Sequence, residues 1–338
     1  MTNNSDLISI ITPFKNSSKF LNDCLESIIN QSYLNWELII IDDYSNDNSF
    51  ELVHRISLND KRIKLYKNQE EKGIINCLRQ GLNKCSGDYI TRMDSDDVMD
   101  KDKLKELHKS LKISGKGYVS TSKVKYFSED GLGSGYEKYE NWLNKMMIDN
   151  DNFNHIYKEC VIPSPNWMIL KDDLLSCGAF NSNIYPEDYD LVFRFYKERF
   201  KIISSLKILH FWRDYPTRTS RTDSNYADNS FLDLKIKYFI ELNYDITKNL
   251  IIWGAGKRGK LLAKKLIELN IDFIWVCNNP NKIDRIIYNK QLKSIEHLDE
   301  LDNYQSIITV ANEESQSLIK IFFDSKGYKI MKDYYLFC

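Results

Sequence analysis

Three carboxylates crowd the four residues Asp94-Ser95-Asp96-Asp97. Like charges this close repel unless a cation or hydrogen-bond donors compensate them. Hard oxygen ligands of this kind suit Mg²⁺ or Mn²⁺, which take one or two protein carboxylates and complete their shell with substrate phosphates. If the substrate is a nucleoside diphosphate sugar, breaking the sugar–phosphate bond leaves charge on the diphosphate, and a metal at such a turn stabilises it. The plain alternative is a solvated turn capping a helix from about Lys101. A second acidic group, Glu187-Asp188-Tyr189-Asp190, follows Pro186 and opens a helix. The helix dipole favours acids in a first turn, so structure alone accounts for them. Chemistry offers another reading: transfer with inversion needs one carboxylate to take the acceptor's proton and no covalent intermediate. Glu187 and Asp190 share a helix face while Asp188 points elsewhere, so spacing leaves the choice of base open.

The elements that must position these groups alternate strand with helix. Apolar runs at residues 7–11, 36–41, 63–66 and 89–93 predict strands. Helical spacing predicts helices over 19–30, with Ser17 or Ser18 as cap, 48–58 and 74–85. This is an α/β pattern with a mainly parallel sheet covered on both faces. Ligands of such sheets bind beyond the carboxyl ends of the strands. Thr12 follows the first strand, Asp42 and Asp43 the second, and the acidic turn the fourth, so three strand ends converge on one acidic site of nucleotide size.

The middle of the chain is richer in aromatics, with strand-like stretches at 118–127, 167–170 and 202–209. Residues 1–225 read as one domain, 226–249 as a helical connector and 250–338 as a smaller α/β domain. The last opens with a strand and then Gly254-x-Gly256-x-x-Gly259, the setting of a dinucleotide fingerprint. The acid expected about 20 residues further on, at the end of the next strand, is missing, for that strand runs into Asn278-Asn279-Pro280. The glycines read either as an NAD site or as a tight turn with close helix packing.

Bulk properties narrow the classes. Lys plus Arg is 47 and Asp plus Glu is 48, a net charge of −1, so no global field draws the chain to nucleic acid. The first residues carry no basic leader, and no run approaches the ~18 apolar residues of a membrane span. The seven cysteines are scattered and never spaced Cys-x-x-Cys. That argues against a disulfide framework or zinc knuckle and for a reducing, cytoplasmic compartment.

Several segments in order carry a resemblance. Ser9-Ile10-Ile11-Thr12-Pro13-Phe14-Lys15, Asn30-Gln31-Ser32-Tyr33 and Glu37 through Asp47 resemble the opening of the family 2 glycosyltransferases. Gly87 through Asp97 is similar to that family's metal-binding segment. The match covers roughly residues 7–221. It implies the GT-A fold, a nucleotide-diphosphate sugar donor, Mn²⁺ or Mg²⁺, and inversion at the anomeric carbon. Residue by residue, it implies Thr12 and Phe14 at the nucleobase, Asp43 at the base or ribose, and Asp94 near the ribose or donor sugar. It places Asp96, with Asp94, on the metal, Asp188 as the base, and Glu187 positioning its neighbours or the acceptor. Cys177-Gly178-Ala179-Phe180 resembles the small-residue turn before the base.

Phe211 through Arg221 resembles a segment that in one branch of the family reads Trp-Arg-x-His-Pro and ends Ser-Arg. There the His helps hold metal and diphosphate; here that place is Tyr215, with Asp214 or His210 as substitutes. Arg213, Arg218 and Arg221 are candidates for the diphosphate, whose geometry Arg suits. Trp167 reads either as an acceptor platform or as core. The unit 250–338 resembles a Rossmann-like appendage of the same branch. The function implied is sugar transfer to a glycan or lipid-linked acceptor in bacterial surface polysaccharide synthesis, with peripheral contact at the inner face of the membrane left open. An NAD-dependent oxidoreductase and a non-catalytic sugar-nucleotide-binding scaffold are the competing readings.

Overall fold

The computed structural model describes residues 6–129, 131–222 and 231–338. The first residues, 1–5, where no basic leader is expected, and the opening 226–230 of the connector lie outside the described residues. The chain divides into two units, Met1–Asn152 with Val161–Ala227, and Phe153–Cys160 with Asp228–Cys338.

In the first unit, β1 (Ile8–Phe14) and β2 (Trp36–Asp42) bury every residue, as strands covered on both faces must. β3 (Ile63–Lys67), β4 (Tyr89–Arg92), β5 (Val98–Met99), β6 (Tyr118–Phe127), β7 (Trp167–Leu170) and β8 (Lys201–Arg213) complete the sheet among the described residues, in the order β3-β2-β1-β4-β7-β6-β8-β5. β1 runs parallel to both β2 and β4, whereas β7 is antiparallel to β4 and β6. The strand order reverses between β1 and β4, the switch point at which open α/β sheets hold ligands. β1 extends past its apolar run because pairing with β2 continues to Phe14↔Asp42. Thr12 therefore lies within the strand and not beyond its end, a correction to the sequence expectation.

The helix Leu21–Ile29 buries Leu21, Cys24, Leu25 and Ile28, one stripe at helical spacing. It has no side-chain cap, contrary to the expectation for Ser17 or Ser18. Instead the Ser17 carbonyl accepts from the amides of Phe20 and Leu21, which leaves the Ser17 hydroxyl for the site described below. The helix Ile74–Lys84 lies close on β1 through Gly81, where a Cβ would come 2.6 Å from Ile11 Cγ2.

The second unit has its own sheet. β9 (Asn249–Trp253), β10 (Ile274–Val276), β11 (Ile286–Ile287), β12 (Lys290–Lys293), β13 (Tyr304–Ile308) and β14 (Tyr334–Leu336) lie in the order β11-β12-β10-β9-β13-β14, parallel except for the β11–β12 pair. Its core includes Tyr157, from the short segment Phe153–Cys160. The Tyr157 ring stacks on Phe337 at 5.1 Å and meets Phe239 and Tyr335 edge-on. The glycine motif is spent largely on packing. Gly254 has φ +118, and a Cβ on Gly259 would lie 2.1 Å from the Gly254 carbonyl oxygen. The Asn278 side chain that stands near the missing acid's place accepts from Trp253 Nε1 at 2.9 Å.

Candidate active site

The acidic turn leaves β4 at the switch point, where the Met93 amide donates to Ile11 O at 3.0 Å. Its residues alternate: Asp94 and Asp96 are half-buried, whereas Ser95 and Asp97 are buried. Asp97 points inward. It accepts from the Arg213 amide at 2.8 Å and faces His210 Nε2 at 3.0 Å. His210 Nδ1 lies 3.0 Å from the fully buried Lys103 ammonium, which also donates to Pro165 O at 2.7 Å. Burial, and then the Lys103 charge, hold His210 well below the usual imidazole range. A neutral ring protonated at Nε2 satisfies both neighbours. Lys103, His210 and Asp97 thus form a buried post under the turn.

Asp96 points the other way. Burial first, then the charges of Asp97 and Asp94, push its pKa up to about 7. Its Oδ2 accepts from the Tyr215 hydroxyl at 2.9 Å. A carboxylate that burial and two neighbouring carboxylates push toward neutrality, with Arg218 offsetting them only in part, fits a hard divalent cation beside the half-buried Asp94. Among the described residues no three His, Cys, Asp or Glu side chains gather into a ready cage. The donor set is that of an ion completed by substrate oxygens.

Several sequence expectations change here. His210 is spent on Asp97 and Lys103, and Asp214 accepts Arg221 Nε at 2.8 Å on one oxygen and its NH2 at 2.5 Å on the other. Neither is free to replace the expected histidine; Tyr215 itself reaches Asp96, with its ring 4.6 Å from Phe20. Arg213 braces the turn. Its guanidinium donates to Asp96 O at 2.8 Å and Asp23 Oδ2 at 2.7 Å and lies over Phe20 and Phe127. Arg218 instead places its charge toward Asp97 and Asp96. Phe14 is 3% exposed and packs in the core with Ile8 and Ile10, so its ring does not wall an open nucleobase pocket. Trp167 is buried against Phe195.

On the opposite side of the switch point, Asp43 Oδ1 accepts from Asn68 Nδ2 at 2.8 Å and from the Gly73 amide at 3.0 Å. Asn68 carried no sequence signal of its own. Asp42 Oδ1 accepts from the Ser45 amide, the turn-capping role. Thr12 is fully buried, and its Oγ1 has no hydrogen-bond partner among the described residues. Lys15 and Lys72 meet beside Asp43; burial and then Lys72 lower the Lys15 pKa, which Asp43 opposes. The Ser17 hydroxyl lies 2.9 Å from that of Ser95, joining the loop after β1 to the acidic turn.

The base candidates arrive on the helix Glu187–Lys197. Arg194 anchors it, donating to Cys177 O and Ala179 O in the preceding turn and to Asp190 Oδ2. That ion pair commits Asp190, which is 1% exposed. Glu187 Oε1 accepts from Arg92 NH1 at 2.8 Å, and Arg92 Nε donates to Asp94 Oδ1 at the same distance. One buried guanidinium therefore ties the acidic turn to the base helix across 95 residues of sequence. Sequence reading passed over Arg92, whose only signal was a cation beside the acidic turn. Asp188, half-buried, accepts the Tyr189 amide. Burial first and the Glu187 charge second push its pKa up to about 7. Replacing Arg92 with Ala strands two carboxylates near the interior. The expected cost is about 3–5 kcal/mol, measured as a shift in the denaturant midpoint; a shift below about 1 kcal/mol would contradict the bridge.

With this geometry in view, the chain can be set beside known proteins. Residues 9–177 match the family model for Glycosyl transferase family 2. The chain is 25% identical over 224 residues to glycosyltransferase GlyG of Streptococcus pneumoniae, covering 65% of this chain and 74% of that protein. It is 32% identical over 208 residues to the O-antigen biosynthesis glycosyltransferase WbnJ of Escherichia coli, covering 57% and 73%. Among solved structures, S. aureus TarS 1-349 in complex with UDP-GlcNAc superposes with a TM-score of 0.55 at 16% identity, over 77% of this chain and 71% of that one. The likeness to TarS is one of fold, the GT-A type with its parallel-rich, curled sheet. With half its length matched by the family model, the chain belongs to glycosyl transferase family 2.

Proposed function

We propose that the first unit transfers a sugar, with inversion, from a nucleoside diphosphate donor to a hydroxyl of a glycan or lipid-linked acceptor. The observation that carries this reading is Arg92, which bonds Asp94 of the acidic turn and Glu187 beside Asp188 with one guanidinium. It supports a reading in which the donor side and the base side share one site. Asp96, with Asp94, would hold Mg²⁺ or Mn²⁺, which when bound stabilises the charge left on the diphosphate. Asp43, held by Asn68 and Gly73, faces the nucleoside. Asp188 takes the proton of the acceptor hydroxyl as its oxygen bonds to the anomeric carbon and the sugar–phosphate bond breaks. Glu187 Oε2, buried with no partner among the described residues, has an oxygen left to orient that hydroxyl.

A role in bacterial surface polysaccharide synthesis is supported by the O-antigen glycosyltransferase among the relatives. Cytoplasmic placement is supported by the seven scattered cysteines, none of which is joined in a disulfide among the described residues. Among the described residues no helix is long and apolar enough to cross a membrane, so the contact with a lipid-linked acceptor that we propose is peripheral.

The test is release of nucleoside diphosphate from a panel of UDP- and GDP-sugars with Mn²⁺, followed against pH. A base must be ionised to act. Because the Asp188 pKa is raised to about 7, kcat/KM should climb as pH rises through about 7 and fall away below it. A profile flat from about pH 6 to 8 would remove Asp188 from the role.

A further inference from the structure

β8 ends at Arg213, and extended chain sends successive side chains to opposite sides. Arg213 and Tyr215 both turn toward the acidic turn, while Asp214 between them turns away to Arg221. Pro216 follows and restricts Tyr215 to an extended backbone. The Asp214 amide donates to Phe127 O at 2.9 Å, which ties this stretch to the end of β6 as it passes the turn.

The stretch grips Asp96 at two points. The Asp96 carbonyl accepts from Arg213 Nε at 2.8 Å, and its Oδ2 accepts from the Tyr215 hydroxyl at 2.9 Å. The Arg213 amide holds the next residue, Asp97, at 2.8 Å. Asp96 Oδ1 takes no hydrogen bond among the described residues. The Tyr215 ring is steadied in turn by Phe20. Their centroids are 4.6 Å apart, and the Arg213 guanidinium stands 4.9 Å from the centroid of the same Phe20 ring.

Arg213 fixes the backbone of the turn through Asp96 O and fixes Asp97 through its carboxylate. Tyr215 is half-buried, and its hydroxyl adds a single bond to the turn, aimed at the carboxylate of Asp96. The last torsion of an aspartate is broad, so the carboxylate swings unless a partner holds it. A group held in place beforehand loses less freedom when it binds. Hydrogen-bond partners of a ligating carboxylate set its orientation in this way, and their loss costs about 10–100-fold in metal affinity.

We infer that Tyr215 is a positioning residue for the donor's cation: its hydroxyl holds Oδ2 of Asp96 and keeps Oδ1 available as a ligand. This rests on the reading of Asp96 as a ligand of that cation. The test titrates Mn²⁺ into the full chain with UDP or GDP present, follows the free-ion signal by electron paramagnetic resonance, and compares the wild type with Tyr215→Phe. Phe keeps the ring against Phe20 and removes only the hydroxyl, so the melting temperature of the ligand-free chain should stay near that of the wild type. Mn²⁺ affinity should fall by at least about tenfold. Tyr215→Leu, which removes the ring as well, is the second variant and should bind Mn²⁺ no more tightly than Tyr215→Phe. Equal or tighter Mn²⁺ binding by Tyr215→Phe, or wild-type affinity in Tyr215→Leu, overturns the inference. If the wild type takes up Mn²⁺ and Asp96→Ala does not, such a result removes Tyr215 alone and leaves the transferase reading standing. No uptake by the wild type with either nucleotide defeats the metal-dependent reading, and the role of Tyr215 with it.

Discussion

Asp96→Ala is expected to lower metal-dependent turnover of a nucleotide sugar by at least about 10²–10³-fold, the cost of losing one well-placed group that stabilises developing charge. The same change should not unfold the ligand-free chain. Burial and the neighbouring carboxylates raise the Asp96 pKa to about 7. A folded-state pKa above the unfolded value means that the ionised group opposes folding, and that opposition grows as pH rises from the unfolded value to about 7 and is complete above it. Its removal should therefore leave the melting temperature at pH 8 unchanged or higher, although the Tyr215 hydroxyl loses its acceptor. Turnover lost while stability is kept is the signature of a ligand held at a cost to the fold. Turnover within about tenfold of wild type would show that the acidic turn is only a turn.

Asp188→Asn should be nearly as damaging, lowering kcat by about 10²–10⁴-fold, while donor affinity stays within about twofold. The amide keeps the size of the side chain and an oxygen for the Tyr189 amide, but it cannot take a proton. The neighbouring acids supply the controls. Asp190→Asn breaks the ion pair with Arg194 that pins the helix to the 177–180 turn and should act on stability before kcat. Glu187→Gln weakens the Arg92 bridge and should raise KM for the acceptor more than it lowers kcat. If Asp190→Asn stopped turnover in a folded chain while Asp188→Asn did not, the base would have to be reassigned.

The placement of these groups was legible in the chain to an uneven degree. Strands 118–127 and 167–170 stand where the sequence reading placed them. The acidic turn stands at the sheet's switch point because alternating strands and helices allow few parallel topologies. What stayed hidden depends on which way a side chain turns. β1 is buried on both faces, so its pattern does not tell a pocket residue from a core one, and Phe14 went to the core. Arg213 has the reach to serve either a diphosphate or the turn beneath it; the rings of Phe20 and Phe127 hold it to the turn. The Arg92 bridge and the Lys103–His210–Asp97 post join residues far apart in sequence, and no local spacing encodes such pairs.

Titrating Mn²⁺ into the chain with a nucleoside diphosphate present, and following the free-ion signal by electron paramagnetic resonance, tests the central claim most directly. The wild-type chain should take up about one Mn²⁺ in a nucleotide-dependent way, and the Asp96→Ala chain should leave that ion free. Equal uptake by both chains, or none by the wild type, would contradict the assignment of the acidic turn to the donor's metal.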